Sequence, residues 1–363
     1  MPNPNAVVSS VLRIEGNAVQ LGNQRRVRFD PERTKGLGPI LEGLRELRQP
    51  VYLEVDPSTD VITRLLIPYV TRVSSLSLAD DGLEVLLDNS HARHLLRPGT
   101  PDVEELEQIL REALHDGRVL IVTEDDEHNI IDVRGFTPGP DGELPPLPPF
   151  PEPKPRPWPW PINWLLEIWR WRWWPWWWFG FGCVSKVHAQ QVFDAMAATT
   201  CDPLTVPPPC IPFRFPDDGC WGRAHEMCRL IINMGITPAK VWINHVGPLL
   251  KANTRNNPQC YVQWSWHVAP TICVRRWRWC FFWTQDMVID PSLFTTPVTK
   301  STWKGVQTNP NATLTDTDWT YFWQYGGTDP NFTQTLVVLA TYRLKLLQRS
   351  QSSVGPPPYA HCP

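Results

Sequence analysis

The sequence DDGCWGRAHEM, residues 217–227, decides the predicted fold because it places a cysteine in the first turn of a predicted helix. We expect Asp218 to cap this helix and Gly235 to end it. Apolar residues keep a helical spacing between these two positions: Ala224, Met227, Cys228, Ile231 and Ile232. Unpaired N–H groups at a helix N-terminus favour the thiolate and can hold an oxyanion. Cys220 is therefore a candidate nucleophile, with a buried, inert cysteine as the alternative.

Two later segments supply an imidazole and a carboxylate. The sequence YVQWSWHV, residues 261–268, alternates as a strand does and places His267 on the face opposite Trp264 and Trp266. The sequence MVIDP, residues 287–291, predicts a short strand that ends at its proline, with Asp290 at the end of the strand. A thiol, an imidazole and a carboxylate thus follow one another along the chain, each on an element that can hold it.

These motifs resemble the bacterial protein-glutaminases, which deamidate glutamine in proteins and are related in fold to transglutaminases and papain-like cysteine proteases. The resemblance spans roughly residues 183–347, and four runs carry it: CIPFRFPDDGCWGRAHEM (210–227), WSWHVA (264–269), VIDPSLF (288–294) and PVTKSTW (297–303). It implies a catalytic set of Cys220, His267 and Asp290. The covalent chemistry of such a set requires no cofactor, and Cys220 and His225 lie roughly 140° apart around the helix, which argues against a zinc site there. The resemblance also implies a cysteine pair at Cys201 and Cys210, which would form a disulfide in an oxidising compartment and remain two thiols in the cytosol.

The predicted fold class is α+β. We expect a C-terminal papain- or transglutaminase-like catalytic domain, in which the nucleophile helix packs against an antiparallel sheet, preceded by a small β-rich α+β domain and a proline-rich linker. The predicted boundaries are 1–136 for the binding or regulatory domain, 137–161 for the linker, 162–182 for a tryptophan-rich segment, 183–348 for the catalytic domain and 349–363 for a disordered tail. Nothing in the N-terminal half resembles the family's secretory leader or pro-region.

Local patterns predict the individual elements. In the N-terminal half they predict strands at 7–14, 18–21, 51–55, 61–66, 69–78, 83–87, 119–123 and 130–133, and one helix that begins after Thr100-Pro101 and ends at Gly117. In the C-terminal half they predict a helix at 186–198 and strands at 241–244, 261–268, 272–283, 287–289 and 336–347. The scattered histidines His91, His94, His115 and His128 are expected at the surface or in loops.

Composition narrows the class of protein. The chain has 363 residues and a formal net charge of −3, which argues against a general nucleic-acid binder. No signal peptide and no apolar run able to span a bilayer are evident, so we expect a cytoplasmic protein or export by a route without a Sec signal.

Forty prolines and twenty tryptophans are the unusual counts. Residues 137–161 are rich in proline and predict an extended spacer, with a docking site for an aromatic groove as the alternative. Residues 158–178 hold tryptophan next to arginine. We expect them to pack on the catalytic domain; contact with a membrane or a protein, or a cover over the active cleft, are the alternatives.

The expected reaction is deamidation of glutamine side chains through a γ-glutamyl thioester, in protein or peptide substrates with accessible glutamine. The same three groups would also serve a transglutaminase, which uses an amine acceptor, or a cysteine protease. A non-enzymatic interaction protein is the remaining alternative. The oligomeric state is not predicted.

Overall fold

The computed structural model describes residues 5–30, 36–136, 182–202, 210–278, 281–324 and 326–363. Within these residues, antiparallel pairing joins the strands of every sheet. The helices are α1 (Leu37–Glu46), α2 (Val103–Asp116), α3 (Lys186–Ala197), α4 (Cys220–Asn233), α5 (Lys300–Gly305) and α6 (Thr333–Gln351). The first eleven strands are β1 (Ala6–Glu15), β2 (Ala18–Leu21), β3 (Arg26–Arg28), β4 (Pro50–Val55), β5 (Ile62–Leu66), β6 (Tyr69–Thr71), β7 (Val73–Ala79), β8 (Gly82–Leu87), β9 (His94–Leu96), β10 (Leu120–Glu124) and β11 (Ile130–Gly135). The later strands are β12 (Ala239–Asn244), β13 (Leu250–Asn253), β14 (Tyr261–Trp264), β15 (Trp266–Arg278), β16 (Phe281–Val288), β17 (Val298–Thr299), β18 (Thr313–Asp318), β19 (Tyr321–Trp323) and β20 (Gly326–Thr328).

The N-terminal half builds two cores. A five-stranded sheet of order β3-β2-β1-β4-β5 packs against α1, and the three-stranded sheets β11-β10-β6 and β7-β8-β9 pack against one face of α2. The predicted strands and α2 agree with this arrangement, except that the run 69–78 divides at Arg72. Helix α1 was not predicted, because Gly38, Pro39 and Gly43 give its sequence the composition of a turn.

The C-terminal half is organised around a five-stranded sheet of order β17-β16-β15-β12-β18, against which α3 and α4 pack. Two strand predictions were wrong here. The run 272–283 is not one strand, since β15 and β16 form a hairpin within it. The run 261–268 divides at Ser265, where the chain passes from β14, paired with β13, to β15, paired with β12.

The last predicted strand, at 336–347, is also wrong, because these residues lie in helix α6. Val338, Leu339, Tyr342 and Leu346 recur at helical spacing and bury against the C-terminal core. Leu344 instead joins the core formed by β1, β4 and α1. The β-branched and leucine-rich composition favoured a strand, but burial on two sides selects the helix. Helix α6 therefore ties the two halves together.

The tail is ordered, contrary to the prediction for residues 349–363. Cys362 forms a disulfide with Cys260 across 102 residues. The Tyr359 N–H donates to the Arg255 carbonyl oxygen at 2.7 Å. Composition alone predicted disorder, because neither of these long-range contacts is visible in a polar, proline-rich sequence.

Two further disulfides join Cys201 to Cys210 and Cys183 to Cys273. The first pair matches what the resemblance implies. Disulfides of this kind are typical of proteins that fold in an oxidising compartment.

The proline-rich linker and all but residue 182 of the tryptophan-rich segment fall outside the described residues, so the predictions for them stay predictions. Within the described ranges, none of the helices combines the length and the apolar character needed to cross a membrane.

Candidate active site

Cys220 is the first residue of α4 and is 1% exposed. The residue before it, Gly219, has a φ of 77° and forms the N-cap without a side-chain hydrogen bond. The prediction that Asp218 caps the helix was wrong. Its Oδ1 atom instead accepts hydrogen bonds from the Gly219 N–H at 2.9 Å and from the His91 N–H at 3.2 Å. Burial raises the pKa of the Cys220 thiol well above its usual value, which in this enclosed form opposes the thiolate that its helix position favours.

His267 lies near the start of β15, and its Nε2 atom is 2.9 Å from Oδ2 of Asp290. The indole N–H of Trp303, on α5, donates to the same carboxylate oxygen at 2.9 Å. Although burial alone would raise the pKa of Asp290, His267 and the hydrogen bonds from His267 and Trp303 lower it. Asp290 is therefore a carboxylate that accepts from both rings.

Two indole rings fix the plane of the His267 imidazole. Trp264 stacks on it with a centroid distance of 4.4 Å and an interplanar angle of 11°, and Trp303 stacks at 5.5 Å and 28°. Trp264 and His267 meet because Ser265 interrupts the alternation between β14 and β15. Sequence analysis placed these two residues on opposite faces and missed the role of Trp303.

The structure brings the three predicted site residues together. The Cys220 sulfur and one ring nitrogen of His267 lie within 4.8 Å of each other. Because Nε2 of His267 is held by Asp290, Nδ1 remains as the nitrogen available to the thiol, and it has no hydrogen-bond partner among the described residues.

A fourth side chain in this site, His91, comes from the N-terminal half. Its ring is fully buried, and its Nε2 atom lies 3.4 Å from the Cys220 N–H, the group expected to hold an oxyanion. Its backbone oxygen accepts from the Ser265 N–H at 2.8 Å, and the Arg93 N–H donates to the Gln263 oxygen at 3.1 Å. The N-terminal half thus closes the site over Cys220.

The prediction of surface or loop positions was wrong for His94, which is buried in β9; His91 and His128 lie in loops but are enclosed, and His115 is exposed. Their partners are distant in sequence, so no local pattern marks these histidines as buried.

A charged network holds this closure in place. Asp217 accepts two hydrogen bonds from the Arg349 guanidinium, at 2.8 and 3.0 Å, and lies 3.0 Å from Nε2 of His128. Nδ1 of His128 lies 3.0 Å from Glu124. Burial alone would lower the pKa of His128, but Glu124 and Asp217 raise it to about 10. His128 is therefore an imidazolium between one carboxylate from each half of the chain.

The Asp218 carboxylate makes the same kind of connection. Its Oδ2 atom accepts hydrogen bonds from the hydroxyls of Tyr69, at 3.2 Å, and Tyr342, at 2.6 Å. Sequence analysis did not predict that the two aspartates before Cys220 join the halves of the molecule.

Comparisons with known proteins bear on the fold and on part of the C-terminal half. Residues 189–307 match the family model described as glutaminase. The fold is similar to the crystal structure of pro-protein-glutaminase, with 21% identity, a TM-score of 0.51, and coverage of 82% of this chain and 99% of that one. A mutant of pro-protein-glutaminase gives 21% identity, a TM-score of 0.50, and coverage of 77% and 94%.

The NMR structure of protein-glutaminase from Chryseobacterium proteolyticum gives 25% identity and a TM-score of 0.38, and covers 50% of this chain and 97% of that one. A comparison of the sequence with curated proteins gives no match. The mixed α/β fold with mostly antiparallel sheets is thus that of the pro-protein-glutaminase structures. The match of residues 189–307 to the glutaminase family model, together with this fold, confirms the resemblance to protein-glutaminases drawn from the sequence.

Proposed function

We propose that the chain is a cysteine-dependent amidohydrolase that converts glutamine side chains of proteins to glutamate and releases ammonia. One observation carries this proposal: within a segment that matches a glutaminase family, the Cys220 sulfur lies within 4.8 Å of a His267 ring nitrogen whose ring is held by Asp290 at 2.9 Å. A thiol beside an oriented imidazole is the arrangement that nucleophilic acyl transfer requires.

The packing of α4 supports a papain- or transglutaminase-like layout for this half. Cys220, Trp221 and Ala224 of α4 share one core cluster with Trp266 and Val268 of β15. The nucleophile on a helix and the base on the adjacent antiparallel sheet therefore approach each other across a packed interface, which holds both side chains in fixed positions.

The chemistry follows from these positions. His267 takes the Cys220 proton, and the thiolate attacks the side-chain carboxamide carbon to give a tetrahedral oxyanion. The Cys220 N–H at the start of α4 stabilises the oxyanion once the His91 ring has moved away. The C–N bond then breaks, the His267 imidazolium protonates the departing ammonia, and a γ-glutamyl thioester remains. His267 next removes a proton from water, which attacks the thioester and releases glutamate and the free thiol.

This sequence of steps requires that the site open. Cys220 and His267 are each 1% exposed, and His91 lies against the Cys220 N–H. We therefore assign the closed arrangement to a resting form, and turnover to a form in which the segment around His91 has left the Cys220 thiol. The fold shared with structures of pro-protein-glutaminase supports this division of the chain.

Ammonia release tests the function. A recognition site for a sequence-specific protease, placed within residues 137–161, allows the two halves to be cut apart and separated by chromatography. We expect the separated C-terminal half to release ammonia from a glutamine-containing protein, and the uncut chain to be at least about tenfold slower. The same preparation of Cys220→Ala is the control, and equal ammonia release from it would contradict the proposal.

An excess of a primary amine in the same assay identifies the acceptor. Deamidation predicts a mass gain of about one dalton per modified glutamine with little amine incorporated. Predominant amine incorporation would identify a transglutaminase, and cleavage of the substrate backbone would identify a protease.

A further inference from the structure

Three potential metal ligands meet at the closed site. One ring nitrogen of His91, one ring nitrogen of His267 and the sulfur of Cys220 all lie within 4.8 Å of one another, and all three residues are buried. Cysteine sulfur with two imidazole nitrogens is a donor set suited to zinc, whereas oxygen ligands suit magnesium and calcium.

Each of the two histidines has one buried ring nitrogen without a hydrogen-bond partner among the described residues. In both, this nitrogen is Nδ1. Such an orphaned ring nitrogen is uncommon, because buried polar atoms are nearly always paired. For His267, it is accounted for if Nδ1 can direct its lone pair at a metal ion.

A carboxylate lies beside each of the two rings. Nε2 of His267 is 2.9 Å from Asp290, and Nε2 of His91 is 3.3 Å from Asp218. A histidine that binds a metal through one nitrogen typically donates from the other to a carboxylate, which fixes the ring and the tautomer. Here a proton on Nε2 of His267 leaves its Nδ1 lone pair free, and Nε2 of His91 faces Cys220, whose N–H donates to it at 3.4 Å.

We infer that the closed form of this chain binds one zinc ion through Cys220, His267 and His91. Because His91 comes from the N-terminal half, the bound ion holds that half over the site. It also coordinates the Cys220 thiolate, which is then not available as a nucleophile. The inference depends on the geometry of the closed site and not on which reaction Cys220 performs, so the two can fail separately.

The spacing fits after a small movement. Ligand atoms of a tetrahedral zinc site lie about 3.5 Å apart, given bonds of about 2.0 Å to nitrogen and 2.3 Å to sulfur. The ligand atoms of this site lie within 4.8 Å of one another, so the side chains would have to close by about 1.3 Å at most. Three protein ligands leave a fourth position for a small molecule such as water.

A second cluster, formed by His94, Glu124 and His128, also has three potential ligands. Its imidazoles are already engaged, since His94 lies 2.6 Å from Glu124 and 2.8 Å from the Ser90 hydroxyl, and His128 lies between Glu124 and Asp217. A metal ion could bind here only if these contacts broke. We therefore expect this cluster to bind no metal, in contrast to the proposed site.

Metal analysis of the full chain tests the inference. The protein is produced with zinc present during folding, purified without chelators, and analysed for zinc per chain. We expect about one zinc per wild-type chain, and binding on the order of 100-fold weaker in His91→Ala and Cys220→Ser, since each lacks a direct ligand. His115→Ala, which removes an exposed histidine of the same half, is the matched control and should retain the metal.

Cobalt substitution identifies the ligands independently. Cobalt in the full chain should show a thiolate charge-transfer band that Cys220→Ser removes, while thermal unfolding confirms that this conservative variant is folded. Unchanged zinc in His91→Ala or in Cys220→Ser would overturn the inference, the latter pointing to the His94 cluster. Wild-type protein with far less than one zinc per chain would also overturn it.

Discussion

In the proposed reaction Cys220 is the nucleophile and His267 is the general base and acid, so the loss of either should stop it. We predict that Cys220→Ala and His267→Ala each lower kcat of the separated C-terminal half by on the order of 10⁴-fold or more. Asp290→Asn should leave a measurable residual rate, because the nucleophile and base remain while the ring loses its orientation. Circular dichroism checks the fold of each variant, and near wild-type turnover in either alanine variant would rule out the assigned roles.

Trp303 acts on the site through Asp290 and is a positioning residue. Trp303→Phe removes the N–H that donates to Asp290 at 2.9 Å, and a hydrogen bond to a charged group is worth about 1.5–3 kcal/mol. We predict a kcat lower by about tenfold or more. Because Trp303 helps to lower the pKa of Asp290, the acidic limb of the pH profile should also move to higher pH.

Trp242→Phe is the matched control for this prediction. It removes an indole N–H that donates to Thr317 at 2.8 Å and not to a residue of the triad. If both variants lose the same activity, or if the pH profile of Trp303→Phe is unchanged, the positioning role of Trp303 is wrong.

The start of helix α4 depends on Gly219. A Cβ atom at this position would lie 2.3 Å from the Tyr342 ring of α6, in addition to the cost of about 1–2 kcal/mol for a side chain at positive φ. Gly235 has the same φ of 77°, but a Cβ atom there meets nothing within 4 Å. We predict that Gly219→Ala lowers the free energy of unfolding by more than Gly235→Ala does, as measured by denaturant titration. Equal losses would show that the contact with Tyr342 is unimportant.

The elements also show where sequence reasoning succeeds. Helices α2 and α3 follow from apolar spacing with clear terminal signals, and most N-terminal strands follow from local alternation. Helix α1 was missed because Gly38 and Pro39 suggest a turn. The break at Ser265 was missed because only the pairing of β13 and β12 with successive strands reveals it.

At the scale of the whole molecule, the predicted site residues lie together in the structure. The sequence did not predict that the N-terminal half encloses them. His91 meets Cys220 across 129 residues, and nothing in its neighbourhood in the sequence marks it as part of a site. The same holds for Asp217 and Asp218, whose partners include Tyr69, His128 and Arg349. Local patterns predict elements, whereas these contacts arise from the docking of two halves.

The docking of the two halves should weaken at alkaline pH. The pKa of His128 is about 10 in the folded chain and about 6.5 when exposed, so its contribution is complete below pH 6.5 and is lost as the pH rises toward 10. Arg349, which shares Asp217, stays charged over this range, because Asp217 raises its pKa despite burial. We predict that wild-type protein is more stable than His128→Gln near pH 6 and that the difference shrinks toward pH 10. Thermal unfolding of both proteins across this pH range measures the difference in stability. A difference that does not change with pH would contradict the prediction.

Mass spectrometry of a glutamine-containing protein treated in ¹⁸O-labelled water tests the central claim most directly. If Cys220 deamidates through a thioester that water resolves, each modified glutamine gains about three daltons, against about one dalton in ordinary water. The gain should appear with the separated C-terminal half and be absent with its Cys220→Ala variant. An unmodified substrate, or the same gain with Cys220→Ala, would contradict the account.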